Sequence, residues 1–188
     1  ASGTFVHHKH DEKRPESLSD DLVLSIYEDR SGSLWVGTTG GLNRYDRSNG
    51  TFRTYREKDG LPNNVIFGIV EDAAGNLWMS TNKGVAKLEP GTGTFRSFGV
   101  SDGLQGDAFN QGAYARDPRT GEFLFGGANG FNIFHPDSVK SNTVVPPVVF
   151  SGFTRYNSDD AEGKPITEVG ISVRPEITLS YKDNVATI

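Results

Sequence analysis

The chain alternates short apolar runs with turn residues, and this pattern recurs at a fixed offset of 43 residues. Leu18, Leu61 and Leu104 open three copies of the pattern. The first two copies keep the same spacing throughout, so that Trp35 corresponds to Trp78. A self-similar unit of this length indicates a repeat architecture.

Turn chemistry divides each of the first two copies into four short runs. Asp-x-x-Gly, paired Gly or Lys-Gly, and Asn-Gly or Thr-Gly sequences end successive runs, because Gly accepts positive φ and Asp or Asn can bond its own backbone. The runs are rich in Val, Ile, Tyr, Phe and Trp and are too short for stable helices. We therefore expect strands at residues 22–28, 33–38, 42–46 and 51–55, and again at 65–71, 76–81, 85–89 and 94–98.

The strand around Trp35 is apolar on both faces, as a strand stacked between two other sheets must be. Four antiparallel strands in roughly 40 to 45 residues are typical of a β-propeller blade. The predicted fold class is therefore all-β. Because Trp35 and Trp78 recur at the same blade position, we interpret them as core residues and not as sugar-stacking platforms.

The third copy is looser than the other two. The turn at residues 117–121 carries three more residues, strands resume near 123–126 and 130–134, and a fourth strand is not evident. At the other end, Gly3-Thr4-Phe5 matches the start of the fourth strand in both regular copies, and we expect it to lie within the last strand of an earlier blade. The predicted organisation is the end of a preceding blade with its connecting loop at 1–17, blades at 18–60, 61–103 and 104–140, and a linker with part of a second domain at 141–188.

Two stretches carry a family resemblance. SIYEDRSGSLWVGTTGGLNRYD and GIVEDAAGNLWMSTNKGVAKLEP resemble the two-component-regulator propeller repeat, and PPVVFSGFTRYN and ITLSYKDN resemble the first strands of the Y_Y_Y β-sandwich domain that follows such propellers. The resemblance implies a fragment of a larger bacterial sensor whose propeller lies in the periplasm. It also implies that the sandwich relays a signal to a transmembrane helix and a kinase or cyclase module.

Composition excludes several function classes. The chain has no cysteine, which removes disulfides, thiolate nucleophiles and cysteine-based zinc sites. A net charge of −5 and a pI near 5.4 argue against nucleic-acid binding, which needs clustered Lys and Arg. No apolar run approaches the length of a membrane span, so we expect no direct membrane insertion of these residues.

Candidate catalytic chemistry is sparse, and we predict no catalytic residue, no metal site and no cofactor. His7, His8 and His10 could ligate zinc or nickel, but we interpret them as part of a solvated loop, and His135 as the end of a turn. In the acidic pairs before the first turn of each copy, we expect the aspartate to accept turn N–H groups and the glutamate to face outward. A propeller lyase or hydrolase, which would need a base and usually a metal at the axis, stays a less favoured alternative.

The loops that join consecutive blades, at residues 56–64 and 99–110, are where a ligand is expected to meet a propeller. They suit a polar small molecule such as a carbohydrate, or a peptide. The residues that we expect to bind it are Asn63, Asn64, Asp107, Asn110, Gln111 and Arg116. The alternative is a protein-interaction propeller without a small-molecule ligand.

Three blades cannot close a ring, so we expect apolar faces and open edges on the first and last blade. The predicted partners are the remaining blades and sandwich of the parent chain and, for the fragment, further copies of itself. Residues 3–7 would then pair as a strand with the third blade. The hinge that we expect between propeller and sandwich is residues 141–147, where Pro146-Pro147 favours an extended connector.

Overall fold

The computed structural model describes residues 3–139, 152–157, 165–169 and 183–187, and the chain divides into two compact units, Ala1–Lys140 and Ser141–Ile188. In the described residues the regular structure consists of β-strands and three single turns of 3₁₀ helix. The fold is all-β, as predicted.

The first unit contains two four-stranded antiparallel sheets and one three-stranded antiparallel sheet. The first sheet consists of β1 Val23–Glu28, β2 Leu34–Thr38, β3 Leu42–Asp46 and β4 Thr51–Tyr55. The second consists of β5 Ile66–Glu71, β6 Leu77–Thr81, β7 Gly84–Glu89 and β8 Thr94–Phe98. The third consists of β9 Phe109–Arg116, β10 Phe123–Gly127 and β11 Gly130–Phe134. The predicted strand boundaries of the first two copies are confirmed to within one residue.

The three sheets stack through their faces. Trp35 is completely buried and packs into a cluster that includes Leu77 and Leu88 of the second sheet. Trp78 is 2% exposed and packs in the equivalent way between the second and third sheets, in a cluster with Phe123 and Phe125 of the third sheet. Both tryptophans are thus core residues, as predicted.

The first strands of the three sheets lie next to one another, β1 beside β5 and β5 beside β9. Gly68 in β5 makes this close approach possible: a Cβ there would come within 2.2 Å of the ring of Tyr114 in β9. A side chain at this position would therefore push the second and third sheets apart.

The three extra residues of the third copy do not all lie in its turn, contrary to the prediction. The Asp117 N–H donates to the carbonyl of Glu122, five positions later, and closes the turn. In the first copy, the Asp29 N–H donates to the carbonyl of Ser33, four positions later, so the turn itself holds one extra residue. The other two residues enlarge a bulge in β9. Between the pairs Tyr114–Phe125 and Phe109–Gly127, β9 advances five residues, whereas β1 advances three over the equivalent step.

The amino-terminal residues cover part of the outer face of the first sheet. The ring of His8 packs edge-on against Tyr45 and Phe52, and the Phe52 N–H donates to the carbonyl of Glu16 at 2.7 Å. Phe52 is therefore only 8% exposed, whereas Ile26 in β1 is 63% exposed, so the expected open apolar face of the first blade is covered around Phe52 and exposed at Ile26. Residues 3–10 form no strand, and their membership of an earlier blade stays a prediction.

The outer face of the third sheet does expose apolar side chains. Phe131 is 63% exposed and Ile133 is 54% exposed. Both lie on β11, which is the edge strand of its sheet in the described part of the chain.

The described strands of the second unit are β12 Gly152–Asn157, β13 Pro165–Val169 and β14 Asp183–Thr187. They form a three-stranded antiparallel sheet in the order β13-β12-β14. The predicted hinge at residues 141–147 lies outside the described residues. Assignment of this unit to a Y_Y_Y sandwich stays a prediction.

Candidate functional site

The aspartates of the first turns hold the turn and the core together. In Asp72, Oδ1 accepts the Asn76 N–H at 2.9 Å and Oδ2 accepts the indole N–H of Trp78 at 2.9 Å. Burial raises the pKa of this carboxyl, but the hydrogen bonds from Trp78 and Asn76 outweigh burial, so the pKa lies below its ordinary value. Asp29 repeats the arrangement, with Trp35 Nε1 at 2.7 Å. The turn role of these residues is confirmed, and the bond to the indole is an addition that the sequence analysis missed.

The outward orientation predicted for the neighbouring glutamates is right for Glu28, which is exposed, and wrong for Glu71. Glu71 is 4% exposed because the first blade covers it. Its carboxylate accepts the Arg30 backbone N–H at 3.0 Å and the Tyr27 hydroxyl at 3.4 Å, and lies 3.2 Å from Arg30 Nε. These contacts connect the first blade to the second, so Glu71 belongs to an interblade contact and not to an open acidic site.

Arg116 lies at this same end of the molecule, close enough to Tyr27 to influence its ionisation. Burial raises the pKa of the Tyr27 hydroxyl, the charge of Glu71 raises it further, and the positive charge of Arg116 opposes the rise. Arg116 ends β9, whereas Asp107 precedes this strand and Asn110 is its second residue. At about 3.3 Å per residue, Arg116 is on the order of 15 to 20 Å from Asn110. The six predicted ligand residues therefore do not form one site.

Asn63 and Asn64 organise the loop between the first two blades. Asn63 Oδ1 accepts the Val65 N–H, and Asn64 Oδ1 accepts the Glu57 N–H, each at 3.0 Å. The first bond recurs 43 positions earlier, where Asp20 accepts the Leu22 N–H; Asp21, the counterpart of Asn64, accepts the His10 N–H, which is not the counterpart of Glu57. Because both asparagine oxygens accept N–H groups of their own loop, the side-chain oxygens of Asn63 and Asn64 serve loop structure.

Asp107, Asn110 and Gln111 are exposed, and the last two lie within the bulge of β9. Gly112 follows them with φ +73°, a conformation that glycine adopts without strain. Bulges redirect side chains and are frequent beside binding sites. The innermost strand of the third blade therefore presents two amide side chains in a way that the other two blades do not.

Gln105 adds a polar group at this end of β9 that was not among the predicted ligand residues. Both polar atoms of its side chain are buried and have no hydrogen-bond partner in the described part of the chain. Its Nε2 lies 2.6 Å from the position that a Cβ on Gly127 would take, and Gly127 pairs with the first residue of β9. A buried amide without partners is unfavourable by about 1–3 kcal/mol. The sequence feature that could have pointed to Gln105 is that a long amide side chain stands at the position held by Ser19 and Pro62 in the other two copies.

We call Gln105, Asp107, Asn110 and Gln111 the bulge site. Its exposed Asp107, Asn110 and Gln111 side chains can donate and accept hydrogen bonds with a hydroxylated or amide-bearing molecule. In the described residues no group of three or more His, Cys, Asp or Glu side chains is placed to hold a metal ion.

The histidines predicted to lie in turns or loops have local contacts. His135 Nδ1 accepts the Asp137 N–H at 3.3 Å and so caps the 3₁₀ turn Pro136–Ser138, as expected. His10 Nδ1 lies 2.8 Å from the Leu18 carbonyl. The predicted loop histidines are exposed, but His8 and His10 are anchored to the first blade.

Comparison with known proteins agrees with the blade geometry. Residues 17–40 and 60–83 match the family described as two component regulator propeller. A stretch of 41 residues is 46% identical to Histidine kinase P4 of Formosa agariphila. This stretch makes up 22% of this chain and 3% of the kinase. The two matched segments lie in the first and second blades.

Solved structures resemble the chain at lower identity. The extracellular domain of the proposed hybrid two component system BT3049 from B. thetaiotaomicron is 23% identical, with a TM-score of 0.52 over 88% of this chain and 29% of that one. The extracellular domain of the proposed one component system BT4673 from the same organism is 22% identical, with a TM-score of 0.58 over 86% and 26%. PorZ, a surface component of the type-IX secretion system of Porphyromonas gingivalis, is 15% identical, with a TM-score of 0.55 over 90% and 27%. At these identities the likeness shows the fold.

The chain spans less than a third of each of these solved chains. None of the helices in the described residues has the length and apolar character that a membrane crossing requires.

Proposed function

We propose that the chain is part of the extracytoplasmic sensor region of a two-component or cyclase-type signalling receptor. The observation that carries this proposal is the match of two consecutive blades, at residues 17–40 and 60–83, to the two component regulator propeller. The likeness to the extracellular domains of BT3049 and BT4673 supports an extracytoplasmic, periplasmic location.

In this proposal the propeller recognises a signal and takes no part in bond-breaking chemistry. The unit Ser141–Ile188, which resembles the start of a Y_Y_Y sandwich in sequence, passes the signal to a membrane-spanning kinase or cyclase module. Such transmission requires two arrangements of the receptor with different affinity for the signal.

We infer that the signal is a polar small molecule, such as a carbohydrate or a peptide, that binds at the bulge site. Three features support this location. Asn110 and Gln111 lie in a two-residue expansion of an innermost strand, they are exposed, and the buried amide of Gln105 beside them lacks partners in the described residues. The Gln105 amide is buried, so its side chain would have to turn outward to bond a ligand, and such a bond would remove the cost of leaving the amide unsatisfied.

A thermal-shift screen of the chain against sugars, amino acids and aromatic acids tests this proposal. A compound that binds the folded state must raise the melting temperature. A variant that lacks Asn110 and Gln111 restores the strand length of the other two copies and should fold, but the ligand-dependent shift should be lost. The matched control deletes Thr120, the extra residue at the opposite end of β9, and should keep the shift.

The outcomes separate the possibilities. A shift that survives deletion of Asn110 and Gln111 would contradict the bulge site while leaving the sensor function in place. If no compound raises the melting temperature of the chain, the small-molecule proposal is wrong.

A protein-interaction propeller is the second candidate, favoured by the exposed Phe131 and Ile133 on the outer face of the third sheet. The fold likeness to PorZ, a component of a secretion system, is compatible with it. It predicts no small-molecule shift and binding of a protein partner that is lost in Phe131→Ser, as measured by pull-down and calorimetry with the purified partner.

A further inference from the structure

A cavity of about 170 Å³ lies between the second and third sheets. We call it the open socket and define it by five of its lining residues, Trp78, Phe98, Gly103, Leu104 and Phe134; Asp102, Asn132 and Val139 also line it. These residues are mainly apolar and aromatic. A dry apolar cavity of about 150 Å³ can hold a benzene ring, so the open socket has room for a phenyl side chain.

The same place one repeat earlier is filled by Phe95. The ring of Phe95 packs against Tyr55, with 5.7 Å between ring centroids, and its Cβ lies 3.1 Å from the position of a Cβ on Gly60. Tyr55 corresponds to Phe98 and Gly60 to Gly103 at the offset of 43 residues. These two walls of the open socket are thus formed by residues at equivalent positions of the repeat.

The remaining walls also correspond. Leu61 belongs to the cluster against which Phe95 packs, and Leu104 lines the open socket. Leu88 lies opposite Phe95 in the strand pairing, and Phe134 takes the place of Leu88 in the third sheet. The open socket therefore corresponds to the Phe95 site in the third blade, and no side chain of the described residues takes the place of the Phe95 ring there.

Phe95 belongs to a fourth strand, β8, and the third sheet has no counterpart of this strand in the described residues. Within the described residues, no strand pairs with the outer edge of β11. The sequence Gly-Thr-Phe leads into β4 from Gly50 and into β8 from Gly93, and it occurs once more at Gly3. In the register of β7 and β8, Phe5 would lie opposite Phe134 and Val6 opposite Ile133.

The Gly3–His7 segment of the same chain cannot reach β11. His8 is held against Tyr45 and Phe52 on the outer face of the first sheet. Five extended residues span at most about 18 Å, whereas stacked sheets are spaced about 10 Å apart. Two such spacings and the thickness of the outer face separate His8 from the third sheet.

We propose that residues 3–7 of a second copy of this chain add to β11 as a fourth strand and place Phe5 in the open socket. Phe5 is 95% exposed and Val6 is 74% exposed in the single chain, so the donating segment carries apolar side chains without cover. The new contact would repeat, between the second and third sheets, the packing of Phe95 between the first and second sheets. Reciprocal exchange of this segment would give a dimer.

Sedimentation over a wide range of protein concentration tests the proposal with two substitutions. Phe5→Ala removes the ring and should weaken self-association about tenfold or more, since burial of a phenylalanine ring contributes about that factor. Val6→Arg is the matched control because Arg53 and Arg96 occupy this position in β4 and β8. It should leave the association constant within a few fold.

The register is tested by crosslinking, which the absence of native cysteine makes unambiguous. A mixture of the Val6→Cys and Ile133→Cys chains should form a disulfide-linked heterodimer under mild oxidation. A mixture of Val6→Cys and Phe131→Cys, two residues out of register on the same face, should crosslink far less.

A monomer at all concentrations would overturn the proposal. It would also be overturned by self-association that is equally strong in Phe5→Ala, or by equal crosslinking at positions 131 and 133. None of these results depends on the ligand screen, so the oligomer proposal and the sensor proposal can fail separately.

Discussion

A single carboxylate joins the first turn of each regular blade to the tryptophan in its core. Asp29 and Asp72 each accept backbone N–H groups of their own turn and the indole N–H six residues later. In the third copy the strand register places Leu124 where the tryptophans lie, and leucine has no N–H to donate. Asp117 accordingly bonds only within its turn, to the N–H groups of Arg119 and Thr120.

We predict that Asp72→Ala lowers the free energy of unfolding by about 1–3 kcal/mol, because it leaves the buried Trp78 N–H without a partner. Asp117→Ala should cost clearly less, since no buried donor depends on that side chain. Urea unfolding followed by tryptophan fluorescence measures both. Equal losses in the two variants would show that the turn bonds, and not the indole bond, account for the effect.

Within a blade, one buried asparagine connects the entry loop to the sheet. Asn43 Oδ1 accepts the Ser19 N–H and the Thr54 hydroxyl, each at 3.0 Å, and Nδ2 donates to Val36 and Gly41 carbonyls. In the third copy, Asn132 Oδ1 accepts the Gln105 N–H at 3.1 Å in the same way.

The second copy has neither partner of this bond. Pro62 has no N–H to donate, and Ala86 stands where the asparagine would be. The second copy thus lacks both the N–H donor, because of Pro62, and the side-chain acceptor, because of Ala86. No buried N–H is left without a partner at this position.

We predict that Asn43→Ala destabilises the chain by about 2–4 kcal/mol, because several buried groups lose their partner. Ser19→Pro in that background reproduces the second copy and should recover part of the loss by removing the unsatisfied N–H. A double-mutant cycle by chemical denaturation measures the coupling. Strictly additive losses would contradict the explanation.

The strands themselves were predictable because their signals are local. Alternating apolar residues and turn glycines lie within ten residues of each other, and the predicted ends of β1 to β8 are within one residue of those found. Burial of Glu71 was not predictable in this way, since Arg30 and Tyr27 reach it from another blade. The division of the third copy's insertion between turn and bulge likewise depends on how β9 pairs with β10.

Across the first unit, stability depends on carboxylates that the fold keeps ionised. For Asp29 and Asp72, burial raises the pKa, but hydrogen bonds, above all from Ser31 to Asp29 and from Trp78 to Asp72, lower it to a net value below the ordinary one. A carboxyl whose folded pKa is depressed contributes stability above its unfolded pKa, near 3.9, and loses it as the pH falls through the folded value.

We therefore predict that the free energy of unfolding falls progressively below about pH 5. The double variant Asp29→Asn/Asp72→Asn should be less stable at neutral pH and should show a flatter decline in acid. Urea titrations at a series of pH values measure both curves. If the variant declines as steeply as the parent chain, other carboxyls are responsible.

The order of turns and apolar runs along the chain was sufficient for the all-β class, the blade period, the strand boundaries and the buried tryptophans, because each follows from contacts close in sequence. The predicted ligand residues were separable only in three dimensions: Asn63 and Asn64 serve the loop, Arg116 lies at the far end of β9, and Asn110 and Gln111 lie in its bulge. The open socket, too, became visible only when the second and third sheets were stacked. Packing between blades joins residues about 40 positions apart, and no local pattern of apolar and polar residues records which side chain fills the space between two sheets.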